Sequence, residues 1–115
     1  MDEVLRDQSL ASLGDSYINF VYSLALSNKK NEPFGTKVKG SLLAEALRKA
    51  GLREHLPSRM SRHALADAAE ALIVYAWLSN SISLEESVAI LWRSTDAVEG
   101  LSRLFVAAKE RITFP

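Results

Sequence analysis

Residues 64–78 read Ala-Leu-Ala-Asp-Ala-Ala-Glu-Ala-Leu-Ile-Val-Tyr-Ala-Trp-Leu, apolar on almost every face of a helix. A helix of that kind must be covered on all sides, so it is expected at the centre of the fold. Two carboxylates interrupt it, Asp67 and Glu70. Their spacing of three sets them on one face, one turn apart, with His63 and Val74 and opposite Leu65, Leu72 and Ala76. Taking a carboxylate out of water is costly unless it is paired, protonated or bound to a metal. A third acid, Asp15, stands in an equally apolar segment, Leu13-Gly14-Asp15-Ser16-Tyr17-Ile18. Three acids on two core helices make a divalent-metal site the leading expectation. A structural alternative pairs Asp67 and Glu70 with Arg59, Arg62 or a protonated His63, because ion-pair networks also bury carboxylates. With a helix start near Ser61 or Arg62, both acids fall beyond the first turn, where a helix dipole would account for them.

Helical periodicity recurs along the chain and period-two alternation is nowhere sustained, which predicts an all-α fold. The stripe Leu10, Leu13, Gly14, Tyr17, Val21, Leu24 and Ala25 predicts a helix from residue 3 or 8 to Leu26. The stretch from Ser27 to Gly40, with Asn28, Asn31, Pro33 and Gly35, reads as loop. Ser41 is the expected cap of a helix carrying Leu42, Leu43, Ala46 and Leu47, stopped by Gly51. Leu52 to Leu56 is expected to add a short turn of helix ended by Pro57, and Asn80 to close the acidic helix. Ser83-Leu84-Glu85-Glu86 is a capping box. Thr95 or Asp96 then starts a last helix with Val98, Leu101, Leu104, Phe105 and Ala108 on one face. Five to six helices in one domain, residues 1–115, are expected.

Apolar residues at 48% and charged ones at 24% describe a soluble globular protein. Absence of cysteine excludes a disulfide framework, a thiol nucleophile and a cysteine zinc site, which fits an intracellular, cytoplasmic protein. Met1-Asp2-Glu3 is acidic, unlike a secretory leader, and no apolar run is long enough to span a membrane. The formal net charge of zero conceals an asymmetry. Residues 29–62 hold nine bases against three acids, and the remainder holds five bases against eleven acids. A basic middle beside acidic helices suits a metal-dependent enzyme acting on a polyanion, although a lysine-rich solvated surface has the same composition.

Gly-rich phosphate loops, a His-Glu-x-x-His pair and a serine triad are absent, and His55 and His63 are the only histidines. What remains is Leu13-Gly14-Asp15-Ser16 followed by Leu65-Ala66-Asp67-Ala68-Ala69-Glu70-Ala71-Leu72-Ile73. Together these resemble the catalytic domain of ribonuclease III, whose signature helix ends in Leu-Gly-Asp-Ser and whose later helix reads Ala-Asp-x-x-Glu-Ala-Leu-Ile. The intervening Ser41 to Leu56 is similar to the family's stretch between the two motifs. The resemblance covers residues 5–80 and implies a ribonuclease III-like all-helical domain.

It also implies chemistry. In this family clustered carboxylates hold Mg²⁺ or Mn²⁺ for phosphodiester hydrolysis in double-stranded or structured RNA. Asp15, Asp67 and Glu70 fall on three of the four metal-binding acids and would be the catalytic residues. The fourth is Ala11 here, an earlier signature Glu is Gln8, and the aromatic that interlocks the family's dimer is Ser12. A compact, stand-alone branch of the family also has a small residue where Ala11 lies. The remaining residues leave no room for a double-stranded RNA-binding domain, so the grip on RNA is expected from a homodimer and from Lys37, Lys39, Arg59 and Arg62. Two other readings stay open: a catalytically weak or inactive relative that binds RNA or a protein partner, and a small helical interaction protein whose acids pair with Arg59 and Arg62.

Overall fold

The computed structural model describes residues 1–52 and 55–113, and among these the regular secondary structure is entirely helical. Helices α1 (Asp2–Arg6) and α2 (Gln8–Lys30) are separated by Asp7 alone. Asp7 has extended backbone, and its carboxylate accepts the Leu10 N–H at 3.0 Å, which caps α2. Helix α3 spans Gly40–Lys49, α4 Arg62–Leu78, α5 Leu84–Arg93 and α6 Ala97–Arg111. Ser61 caps α4 by accepting from Ala64 N–H at 3.0 Å. Ser83 and Glu86 close the expected capping box on α5, and Asp96 caps α6.

Three local expectations need correction. Helix α2 runs to Lys30 instead of Leu26, because its backbone ladder is not broken until Asn31 turns left-handed (φ 56°) and donates its N–H to the Ser27 carbonyl. Ser41 does not cap α3. Lys39 holds the cap position without a side-chain hydrogen bond, and Ser41 already lies in the first turn. The buried face of α2 is Ala11, Gly14, Tyr17, Ile18, Val21 and Ala25, so Leu13 is exposed and Ile18 takes a core position. The expected turn over 52–56 lies partly outside the described residues. Gly51, at φ 77°, does follow the end of α3, and Asn80, at φ 59°, follows the end of α4.

The all-round apolar helix is central. α4 packs against α1, α2, α3 and α6, and its buried residues include Leu65, Ala68, Ala69, Leu72, Ile73 and Ala76. Small residues at so many positions let neighbouring helices come close. Helices α2 and α4 come so close that a Cβ built on Gly14 would overlap the Glu70 carbonyl. That neighbour is backbone, which cannot swing away. No helix among the described residues is long and apolar enough to cross a membrane.

Gly14→Ala should therefore force the two central helices apart. Overpacking of this kind costs about 3 kcal/mol, and in a chain of this size the melting temperature should fall by more than about 10 °C. Thermal unfolding followed by circular dichroism checks this. A melting point within a degree or two of wild type would mean that the contact can relax.

Candidate functional site

The α2–α4 contact decides where the acids go. Asp15 follows the glycine that touches Glu70, and Asp67 lies one turn before Glu70 on α4. All three line one cleft of about 370 Å³, together with Gln8, Ala11 and His63. Glu70 is the buried member, 8% exposed. Asp67 is partly exposed, and Asp15 is open to solvent.

These environments separate the acids chemically. Burial, then the Asp15 carboxyl within hydrogen-bonding reach, then the negative charges of Asp15 and Asp67, raise the Glu70 pKa from 4.5 to about 8. Lys37 acts in the opposite direction. At neutral pH Glu70 is mainly protonated and can donate to Asp15, since two ionised carboxylates that close together repel. His63 Nε2 lies 3.5 Å from an Asp67 oxygen. Ion pairs among the described residues include His63 with Asp67, Arg103 with Glu99 and Arg111 with Glu86. Of the structural alternative, the His63–Asp67 pair is present, whereas no ion pair to Arg59 or Arg62 is seen for Asp67 or Glu70 among the described residues.

Asp15 is held from its own helix. The Asn19 amide donates to Asp15 Oδ1 at 3.0 Å and to the Asp15 carbonyl at 2.8 Å. Its own Oδ1 accepts the Val38 N–H at 2.7 Å. Sequence reasoning passed over Asn19. The available signal was a polar stripe, Asn19-Ser23-Ser27, at intervals of four on an otherwise apolar helix.

The basic residues divide into two sets. Lys37 is exposed and close enough to influence Glu70. Lys39 immediately precedes Gly40, itself part of the cleft wall. Arg59 lies before α4 and Arg62 opens it; both are exposed and outside the lining of the cleft. Ala11 and Gln8 do line it, at the positions where the resemblance would have acids.

The donor set is mainly carboxylate oxygen, which suits a hard cation such as Mg²⁺ or Mn²⁺. Among the described residues no group of three or more His, Asp or Glu side chains is arranged to hold a metal ion. Glu70 and Asp15 instead form a proton-sharing pair. An ion entering there would replace that proton, and the carboxylates would have to close around it.

The raised Glu70 pKa fixes a direction for stability. Between pH 4.5 and about 8 the folded protein keeps a proton on Glu70 that the unfolded chain has lost. This group's contribution is therefore best at low pH, declines as pH rises through that window, and is flat above it. In the metal-free protein Glu70→Gln should remove that decline and raise stability at pH 8, by about 1–3 kcal/mol. Urea denaturation across a pH series tests this, and parallel profiles for variant and wild type would refute it.

No curated protein matches the chain. The ribonuclease III family matches it over residues 8–112, which adds α5 and α6 to the segment carrying the two motifs. An all-helical fold, the Leu-Gly-Asp-Ser turn of α2 packed on the Asp67–Glu70 turn of α4, and a family match over nearly the whole chain lead to one conclusion: this chain belongs to the ribonuclease III family.

Proposed function

We propose that the protein is a metal-dependent endoribonuclease that hydrolyses phosphodiesters in double-stranded or structured RNA. The observation that carries this reading is the buried Glu70 carboxyl beside that of Asp15, with Asp67 in the same cleft. Like charges crowded in one cleft are unfavourable unless one of them takes a proton, as Glu70 does here, or a cation joins them. Asp15, Asp67 and Glu70 would hold Mg²⁺ or Mn²⁺. Such an ion supplies water acidified for attack on phosphorus and stabilises the departing 3′ oxygen, giving 5′-phosphate and 3′-hydroxyl ends.

The chain's own residues do the rest. Asn19 fixes the Asp15 carboxylate, and Glu70 must surrender its proton before it can ligate, so ion affinity should rise with pH. Lys37 and Lys39 border the cleft and would neutralise phosphates, while Arg59 and Arg62 would extend the contact along the duplex. A homodimer is part of the proposal. Leu13, Phe20 and Trp92 are each about half exposed, and Phe20 and Trp92 share a wide groove with Leu24, Phe34 and Val88. A patch of that kind on a small protein favours association. Two copies would set two clefts along one RNA.

A second reading, a catalytically weak or inactive homodimeric relative that binds RNA or a protein partner, has its own support. Ala11 and Gln8 stand where the resemblance would have acids.

Cleavage of duplex RNA in Mg²⁺ or Mn²⁺ decides between them. Under the nuclease reading Glu70→Gln or Asp15→Asn abolishes cleavage with the fold intact. Lys37→Ala or Lys39→Ala mainly weakens RNA binding and lowers the salt slope by about one unit each. Ala11→Glu, placing a fourth acid in the cleft, should raise the cleavage rate or tighten Mn²⁺ binding. A wild-type protein that binds RNA but never cuts it in any divalent ion would establish the second reading. Sedimentation showing only monomer at high micromolar concentration would remove the dimer from both.

A further inference from the structure

The segment between α2 and α3 is not a free loop. It runs antiparallel along α2, held at every second residue by a side chain four further back along the helix. The Ser27 hydroxyl oxygen accepts the Phe34 N–H at 2.9 Å, that of Ser23 accepts the Thr36 N–H at 2.9 Å, and Asn19 Oδ1 accepts the Val38 N–H at 2.7 Å. The match is geometric. Four residues of helix advance about 6 Å, and two residues of extended chain advance about 6.6 Å. Three polar residues at helical spacing can therefore grip three alternate amides of an extended strap without strain. Lys30, placed over the Phe34 ring at 3.6 Å from its centroid, anchors the far end.

The last of these grips differs from the other two. The two serine hydroxyls accept from the strap and donate only to backbone carbonyls, Ser27 to that of Ser23 and Ser23 to that of Thr36, but the Asn19 side chain carries an acceptor and a donor on one rigid plane and reaches a side-chain carboxylate. The acceptor takes Val38 N–H, between Lys37 and Lys39, and the donor is shared between Asp15 Oδ1 at 3.0 Å and the Asp15 carbonyl at 2.8 Å. Neither aspartate nor serine offers both functions at that reach.

We infer that Asn19 is a positioning residue that ties the lysine-bearing strap to Asp15, so that the phosphate-gripping side chains and the acidic cleft keep one register. Its value to catalysis rests on the nuclease reading above; the tie itself does not. A phosphate held by Lys37 or Lys39 would thereby be set at a fixed distance from Asp15. Loss of the tie should loosen the strap and the carboxylate together.

The experiment compares Asn19→Ala, Asp15→Ala and Ser27→Ala in the full chain. Val38 and Phe34 amide exchange is read by NMR, and Mn²⁺ affinity by electron paramagnetic resonance. Loss of one hydrogen bond at a local opening corresponds to about a tenfold change in exchange. Asn19→Ala should speed Val38 exchange by about that factor and weaken Mn²⁺ binding by a similar one. Asp15→Ala should also speed Val38 exchange, though Asp15 does not touch Val38. Ser27→Ala should speed Phe34 exchange while leaving Val38 exchange and Mn²⁺ affinity within about twofold of wild type. Val38 exchange that ignores Asp15→Ala would mean that the Asp15 carbonyl alone holds the Asn19 amide, and would overturn the tie to the carboxylate even if Asn19→Ala fails to fold. Failure of the wild type to bind Mn²⁺ would instead count against the metal reading and leave the exchange result to judge the tie. Should Ser27→Ala weaken Mn²⁺ binding as much as Asn19→Ala, the effect would be general loosening of the strap, and the assignment to Asn19 would fall.

Discussion

Everything in this small fold is arranged around the contact between Gly14 on α2 and the Glu70 carbonyl on α4. With no side chain between them, two helix backbones meet, and the residues on either side of the contact are brought into one cleft. The surrounding alanines, Ala66, Ala68, Ala69 and Ala71, keep α4 slim enough for its neighbours to pack on every side. The same closeness denies Glu70 both solvent and space. Its carboxyl is left against that of Asp15 with only a proton to reconcile them. The core and the site are thus not separate features: the packing that stabilises the centre is what makes the acid pair unfavourable.

That tension is informative because the chain relieves it with a proton on Glu70 and the His63 imidazole beside Asp67, and with no arginine ion pair to either acid among the described residues. A carboxylate retained for stability would be expected to meet an arginine or a lysine at close range. Among the described residues Asp67 meets only the exposed His63 imidazole, and Lys37 acts on Glu70 as a minor opposing influence. Strongly shifted acids in a cleft are the usual mark of a working site. The resemblance of the two motifs to those of the ribonuclease III family implies catalytic acids at these positions, which is why the cleft, and not the larger apolar groove beside α5, carries the functional proposal.

The strap adds a further kind of order. An extended segment with no partner strand must satisfy its amides elsewhere, and here α2 does so through Asn19, Ser23 and Ser27. Those three residues are poor choices for a helix interior on propensity alone, since their side chains compete for backbone groups. Here Asn19 and Ser27 still donate back to carbonyls four residues earlier, but the side-chain oxygens of all three are turned outward, onto a neighbouring segment that carries Lys37 and Lys39 past the cleft.

Much of this protein follows from local chemistry and was legible residue by residue. Apolar spacing defined most of the helices, Ser61, Ser83 and Asp96 marked three starts, and the uninterrupted apolar run of 64–78 required a central helix. Short-range rules of this kind depend only on neighbours three or four residues away. They misjudged the end of α2 and the start of α3, where Ser27 serves helix and strap together and Lys39 caps α3 with its carbonyl alone. The family was legible too, because two short motifs survive in order. Tertiary structure alone decided which way α2 turns, exposing Leu13 and burying Ile18, and only it could raise the Glu70 pKa or join Asn19 to Val38. Those facts depend on atoms far apart in the chain, where distance and dielectric are set by packing and not by sequence neighbours.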